Sequence, residues 1–124
     1  MIYKLKTSEK TMKIFESIAT SEGLQPFILA KLSIALSLNS NDLTPPNFRT
    51  DTDGLELNRQ TILGEYESLF KSLVILKEQT PLSEDEFFPK FVKAHLDRGA
   101  TLLSNEVRYG MNFYSNLVHL DKNI

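Results

Sequence analysis

The chain is predicted to be mainly α, with a short N-terminal strand leading into a helical bundle that self-associates. Three observations predict this. Of its 124 residues, 41% are apolar and 24% charged, the balance of an ordinary globular protein. Apolar side chains recur every three or four residues along most of the sequence, which is the helical period. One segment, residues 26–38, is broken only by Pro26, Lys31, Ser33 and Ser37. A helix apolar nearly all round must be covered on most sides, more than one small chain is expected to manage.

Each element can be justified in turn. Residues 1–7 alternate, with Tyr3 and Leu5 on one face and Ile2, Lys4 and Lys6 on the other, the pattern of a strand. Residues 8–20 place Met12, Phe15, Ile18 and Ala19 at helical spacing, with Lys10 and Lys13 on another face. Gly23 suits a left-handed helix end, and Pro26 suits the first position of the next helix. Residues 39–56 read as a loop rich in Asn, Ser, Thr, Asp and Pro. A third helix is expected over 57–79, from the recurrence of Ile62, Tyr66, Leu69, Phe70, Leu73, Val74 and Leu76, with Gly64 marking close packing or a bend. Ser83 with Glu86 forms a capping box and Leu82 with Phe87 a hydrophobic staple, so a fourth helix starts there. Pro89 lies too deep for a first turn and predicts a kink or restart. Tyr109, Phe113, Leu117 and Leu120 again have helical spacing. The whole, 1–124, reads as one domain, its 57–124 part helical.

Composition excludes several chemistries. There is no cysteine, hence no disulfide, thiolate zinc site, iron–sulfur ligation or thiol nucleophile. No export signal or membrane span is legible, so a cytoplasmic location is expected. The net charge is −2, yet it is unevenly spread. Residues 1–38 hold five lysines against three glutamates, whereas 39–124 hold nine basic and thirteen acidic side chains. A phosphate backbone responds to the local patch, so Lys4, Lys6, Lys10 and Lys13 are candidate DNA contacts, with Lys31 a further member. The competing reading is a solvated face.

The catalytic search is sparse. His95 and His119 have no partners at metal-ligand spacing, and His95 reads as a satisfied core or boundary histidine. No nucleophile elbow surrounds a serine and no glycine loop cradles phosphate. Asp51, Asp53 and Glu56 cluster, but without the calcium-loop pattern. Asp53 as cap with Glu56 three residues on is a simpler account, a helix entry favoured by the dipole. Arg59 reads as an ion-pair member or, alternatively, a DNA-backbone contact. Arg98 precedes Gly99, a plausible helix break.

The segment Asp53-Gly54-Leu55-Glu56-Leu57-Asn58-Arg59-Gln60-Thr61-Ile62-Leu63-Gly64-Glu65 resembles the central motif of the DndE family of DNA sulfur-modification proteins. Leu36-Ser37-Leu38, His95-Leu96-Asp97-Arg98-Gly99 and the opening strand–helix–turn resemble the same family, over about residues 3–103. The resemblance implies a ribbon-helix-helix-like start, a homotetramer, and binding to double-stranded DNA with a preference for nicked duplex. It also implies work alongside the other Dnd proteins, in a restriction-modification setting, to replace a non-bridging phosphate oxygen by sulfur. Without cysteine this chain can carry no persulfide, so it is expected to position DNA or partners.

The resulting expectation is a non-catalytic DNA-binding component with no metal and no cofactor. It would dock on the backbone through Lys4, Lys6, Lys10, Lys13 and Lys31, with helix 26–38, including Ile34, as the oligomer core. Two rivals remain: a metal-dependent nickase using Asp51, Asp53, Glu56 and Glu65, and a protein-interaction module that makes no DNA contact.

Overall fold

The structure, a computed structural model, describes residues 2–40 and 50–109. Strand β1 (Lys4–Lys6) leads through Ser8 into helix α1 (Glu9–Glu22), and α2 (Pro26–Asn39) follows. Ser8 caps α1 by accepting from the Thr11 N–H, and Gly23 ends it at φ 71°. Pro26 stands at the start of α2 as expected.

Helix α2 packs chiefly against α6 (Lys93–Tyr109), the last described helix. The buried strip of α2 is Leu29, Ala30, Ser33, Ile34 and Ser37, spaced for one helix face. Opposite it lie Leu96, Gly99, Ala100 and Leu103. Gly99 is therefore no helix break. A Cβ on it would stand 1.7 Å from the Ser33 carbonyl oxygen, so the two backbones touch where no side chain intervenes. The expected role of Ile34 also needs correction. At 1% exposure it lies in the chain's own core and is not available to an interface. Leu32, Leu36 and Leu38 are partly buried against the same core, so one chain covers more of α2 than its composition suggested.

The expected helix over 57–79 is interrupted. Its first residues form strand β2 (Glu56–Asn58), antiparallel to β1 with Lys4 opposite Asn58, Leu5 opposite Leu57 and Lys6 opposite Glu56. A single helical turn, α3 (Arg59–Ile62), follows, then a 3₁₀ turn (Gly64–Tyr66) and α4 (Glu67–Glu78). Gly64 at φ 52° is the bend that separates them, a conformation costly for other residues. Helical periodicity could not reveal β2, because the strand is only three residues long and exists through its pairing with β1. Asp53 caps no helix here, since α3 begins at Arg59 with Asn58 in the cap position. Part of the predicted loop (41–49) and the spaced apolar residues Phe113, Leu117 and Leu120 lie outside the described residues.

The short helix α5 (Glu84–Glu86) starts where the capping box placed it, and the Ser83 hydroxyl donates to the Glu86 carboxylate at 3.1 Å. The chain then widens into a π-helical turn (Phe87–Val92) before α6. Pro89 supplies no N–H, and the wider turn absorbs the hydrogen bond it cannot make. This turn buries Phe87, Phe88, Phe91 and Val92.

His95 is a core histidine with both ring nitrogens engaged, as the sequence suggested. Nδ1 lies 2.8 Å from Ser37 Oγ and Nε2 lies 3.0 Å from Glu78 Oε1. Arg98 Nε donates to the same Ser37 Oγ at 2.9 Å, so the hydroxyl is left to donate to Nδ1 and Nε2–H donates to Glu78. Burial, reinforced by the charges of Arg98 and Lys77, holds the imidazole pKa down to about 4. An unfolded histidine titrates near 6.5, so the unfolded state binds the extra proton across the interval between them. The contribution is complete above the unfolded pKa and declines as pH falls toward the folded one, by about 3 kcal/mol in all. Urea midpoints measured between pH 7 and 4 should therefore fall more steeply for the parent than for His95→Gln. Parallel slopes would show that the imidazole does not set the dependence.

Candidate nucleic-acid interface

The N-terminal lysines are placed by two elements. In β1 the central Leu5 is buried and its neighbours Lys4 and Lys6 are exposed, so both lysines share the solvent face of the sheet. Tyr3, expected to accompany Leu5 inward, is exposed instead, because β1 begins after it and only Leu5 reaches the core. In α1 the inward side is Thr11, Phe15 and Ile18, which leaves Lys10 and Lys13 outside. Lys4 pairs with Glu56 across the sheet at 3.5 Å and Lys13 with Glu9 one helical turn back at 3.2 Å. Both are exposed pairs of little net worth. Lys31 lies apart on α2, 5.6 Å over the ring of Phe27.

Among the described residues, Lys6 and Lys10 differ from every other cation. The rest each engage an acid, a hydroxyl or carbonyl oxygen, an aromatic ring or another partner. Lys6 and Lys10 engage none.

The strand–helix junction that carries these lysines is braced from beneath. Asp97 on α6 has a side chain 1% exposed and spends both oxygens on the junction. Oδ1 accepts from the Ser8 N–H at 3.1 Å and the Thr11 hydroxyl at 2.7 Å. Oδ2 accepts from the Thr50 hydroxyl and from Lys93 Nζ, the latter at 2.6 Å. Lys93 also donates to Thr50 Oγ1 and the Asp51 carbonyl. A buried carboxylate is tolerated only when satisfied in this way.

Above this brace Asp51 accepts from the N–H groups of Glu9, at 2.8 Å, and Asp53, at 3.0 Å. Those backbone donors, Glu9's first, hold its carboxyl below the ordinary carboxylate range. Gly54 then passes so close to β1 that a Cβ would meet the Ser8 carbonyl oxygen and the Thr7 hydroxyl at 2.2 Å. Two of the four acids of the nickase reading have other partners. Asp51 ties the loop to α1, Glu56 faces Lys4, and Glu65 belongs to the 3₁₀ turn. Among the described residues, no three His, Cys, Asp or Glu side chains gather as a metal would need.

Arg59 is an anchor. Only 4% exposed, it donates to both oxygens of Glu67, to Glu84 and to the Ile2 carbonyl. Its guanidinium lies 5.2 Å from the Phe88 ring. Glu84 in turn is held below the usual carboxylate range, first by Arg59 and then by Lys71. Of the two sequence readings of Arg59, the ion pair describes its position and no surface remains for a phosphate. Arg98 likewise faces inward, donating to the Ser37 hydroxyl and carbonyl near the end of α2.

Beside Lys10 and Lys13 a groove of about 750 Å³ runs between α1 and the C-terminal part of α6. Its lining includes the apolar Ile14, Ile18 and Val107, and Arg108 belongs to it as well. Sequence reasoning missed this groove, since it is made by two segments some ninety residues apart.

The family described as DNA sulphur modification protein DndE matches residues 4–109, most of the chain. The chain belongs to the DndE family. Comparison with curated proteins gives no match. Among solved structures it is similar to DndE from Escherichia coli B7A, described as involved in DNA phosphorothioation modification. The two are 22% identical with a TM-score of 0.67, over 81% of this chain and 96% of that one. A glycine-to-lysine double mutant of DndE, described as involved in DNA phosphorothioation, is also 22% identical, with a TM-score of 0.67 over 83% and 98%. At this identity the likeness establishes a shared fold.

The segments that resemble the DndE family are largely scaffold here. Gly54 permits the loop's approach, Arg59 closes the sheet, and His95, Asp97, Arg98 and Gly99 hold α6 to its neighbours. Asp97→Asn would leave Lys93 without its counter-charge in a site where its side chain is 13% exposed. Urea unfolding should show a loss of about 3 kcal/mol or more, partly recovered by adding Lys93→Met. No recovery in the double variant would mean that the hydroxyl and N–H partners of Asp97 outweigh the ion pair.

Proposed function

We propose that this protein is a non-catalytic docking component of DNA phosphorothioation, binding the sugar–phosphate backbone through Lys4, Lys6, Lys10 and Lys13. The observation that supports this most is the pair of unengaged cations, Lys6 and Lys10, at one strand–helix junction. Elsewhere among the described residues, basic side chains are occupied within the chain. A phosphate reaching Lys6 or Lys10 displaces no internal partner, and at Lys4 and Lys13 it displaces only a weak surface pair. Lys31, held over its own ring on α2, contributes at the margin of the patch.

The absence of cysteine fits a division of labour in which other Dnd proteins supply sulfur and this chain positions the duplex. Lysine can contact guanine, but the strand lacks Arg, Asn and Gln to read base edges, so docking carries little sequence preference. Nicked duplex is the preferred form, because a backbone interruption lets the helix bend toward a short patch. Double-stranded DNA and the other Dnd proteins are thus the partners, in the cytoplasm.

Four lysines make a modest patch, and a homotetramer would repeat it. The open surface for assembly is α4, not Ile34. Leu69, Leu73 and Leu76 follow one another at helical intervals along its outside, with Tyr66 just before them, and Leu69 and Leu76 are 55% and 72% exposed. The paired variant Leu69→Lys/Leu76→Lys should lower the mass seen by light scattering without lowering the unfolding midpoint by much. An unchanged mass would exclude α4 from the interface.

Binding to intact, nicked and single-stranded DNA at several salt concentrations tests the docking role. With roughly 6–10 phosphates neutralised per assembly, affinity should fall about 10³–10⁵-fold between about 50 and 200 mM salt. Lys6→Ala/Lys10→Ala should reduce the slope of log affinity against log salt by about one for each phosphate no longer neutralised, whereas Lys90→Ala should not. Equal slopes for all three proteins would overturn the patch.

A further inference from the structure

Resting on the DNA-docking role, we infer that the groove between α1 and α6 seats an unpaired nucleotide of a DNA strand. Its phosphate lies against Lys10 and Lys13, and its base against the aliphatic residues of the lining.

Three observations carry this assignment. The volume of about 750 Å³ is in the range of small-ligand pockets and is enough for one nucleotide. The lining is divided by chemistry. Ile14, Ile18 and Val107 offer apolar surface to a base, while Lys10 and Lys13 bring positive charge to the same lining. Lys10, one of the two unengaged cations among the described residues, belongs to both the groove and the docking patch. A strand held by Lys4 and Lys6 would thus reach the groove through Lys10. Ser17 and Ser104, also lining it, supply hydroxyls that can bond base edges or sugar oxygens without selecting one base. Glu9 and Asp51 also line the groove. Asp51 is held by backbone N–H groups, and Glu9, its side chain 52% exposed, stays solvated when its weak pair with Lys13 gives way to the phosphate.

The ligand is therefore a nucleoside phosphate with its Watson–Crick edge released, a state that duplex interiors do not offer. A fully paired duplex would use the lysines alone. A duplex with an unpaired end would use the lysines and the groove together.

The test compares matched DNA duplexes, blunt or carrying a short unpaired flap with 2-aminopurine as its terminal base. The full-length protein should bind the flap form about tenfold more tightly, with a change in 2-aminopurine fluorescence. Ser17→Leu/Ser104→Leu narrows the groove without changing charge. It should abolish the flap advantage and the fluorescence change while leaving blunt-duplex affinity as in the parent. Equal affinity for both DNAs in the parent protein would overturn the groove assignment and leave backbone docking intact. A flap advantage that survives in the double variant would do the same. Deoxyadenosine monophosphate binding in the groove without any flap preference would assign it to free nucleotides and overturn the strand occupant. Absence of binding to every DNA at low salt would overturn the docking role and this inference together.

Discussion

The structure depends on how closely α2 and α6 approach. Gly99 lets the α6 backbone reach the Ser33 carbonyl, and Ala30, Ser33, Ser37 and Ala100 keep the rest of that seam small. At this separation Ser37 can serve His95 and Arg98 at once, so the seam that excludes water is also satisfied in its hydrogen bonds. Position on α6 then fixes Asp97, and Asp97 fixes the start of α1. A larger residue at Gly99 would therefore be felt at Lys10, although the two are far apart in sequence.

Two kinds of polar residue divide the work. Arg59, His95, Asp97 and Arg98 are buried or half-buried and spend their bonding capacity inside the chain. Lys6 and Lys10 are exposed and spend none. The first group forms the most recognisable motifs, because close packing and buried charge tolerate few alternatives. The second group sits on the surface, where the fold constrains side-chain identity least.

The sequence was most legible where one residue type dictates one local geometry. Ser8, Gly23 and Pro26 bounded α1 and α2, Ser83 opened α5, and Pro89 announced the irregular turn before α6. Reading failed where geometry comes from distant partners. Glu56–Asn58 carried no strand signal of its own, and Gly99 resembled a helix stop because the approach of Ser33 is not local. For the same reason, apolar residues of α2 were assigned to an interface that α6 and the core already cover in part. Among the candidate DNA contacts, position in β1 and α1 was readable from spacing. Which lysines remain unengaged was not, since Glu56 and Glu9 reach Lys4 and Lys13 only in the folded chain.

The pairing of β1 with β2 has a consequence for where the strand lysines stand. Lys6 finds its register opposite Glu56, and Arg59 locks the sheet's end onto Ile2 and Tyr3, contacts that close a loop of about fifty residues. Closing such a loop costs chain entropy that a three-residue ladder can scarcely offset. The ladder therefore leans on the rest of the fold, through Leu5 in the core and Arg59 on Glu67 and Glu84. The placement of Lys4 and Lys6 on the surface thus depends on partners some fifty residues away in the sequence.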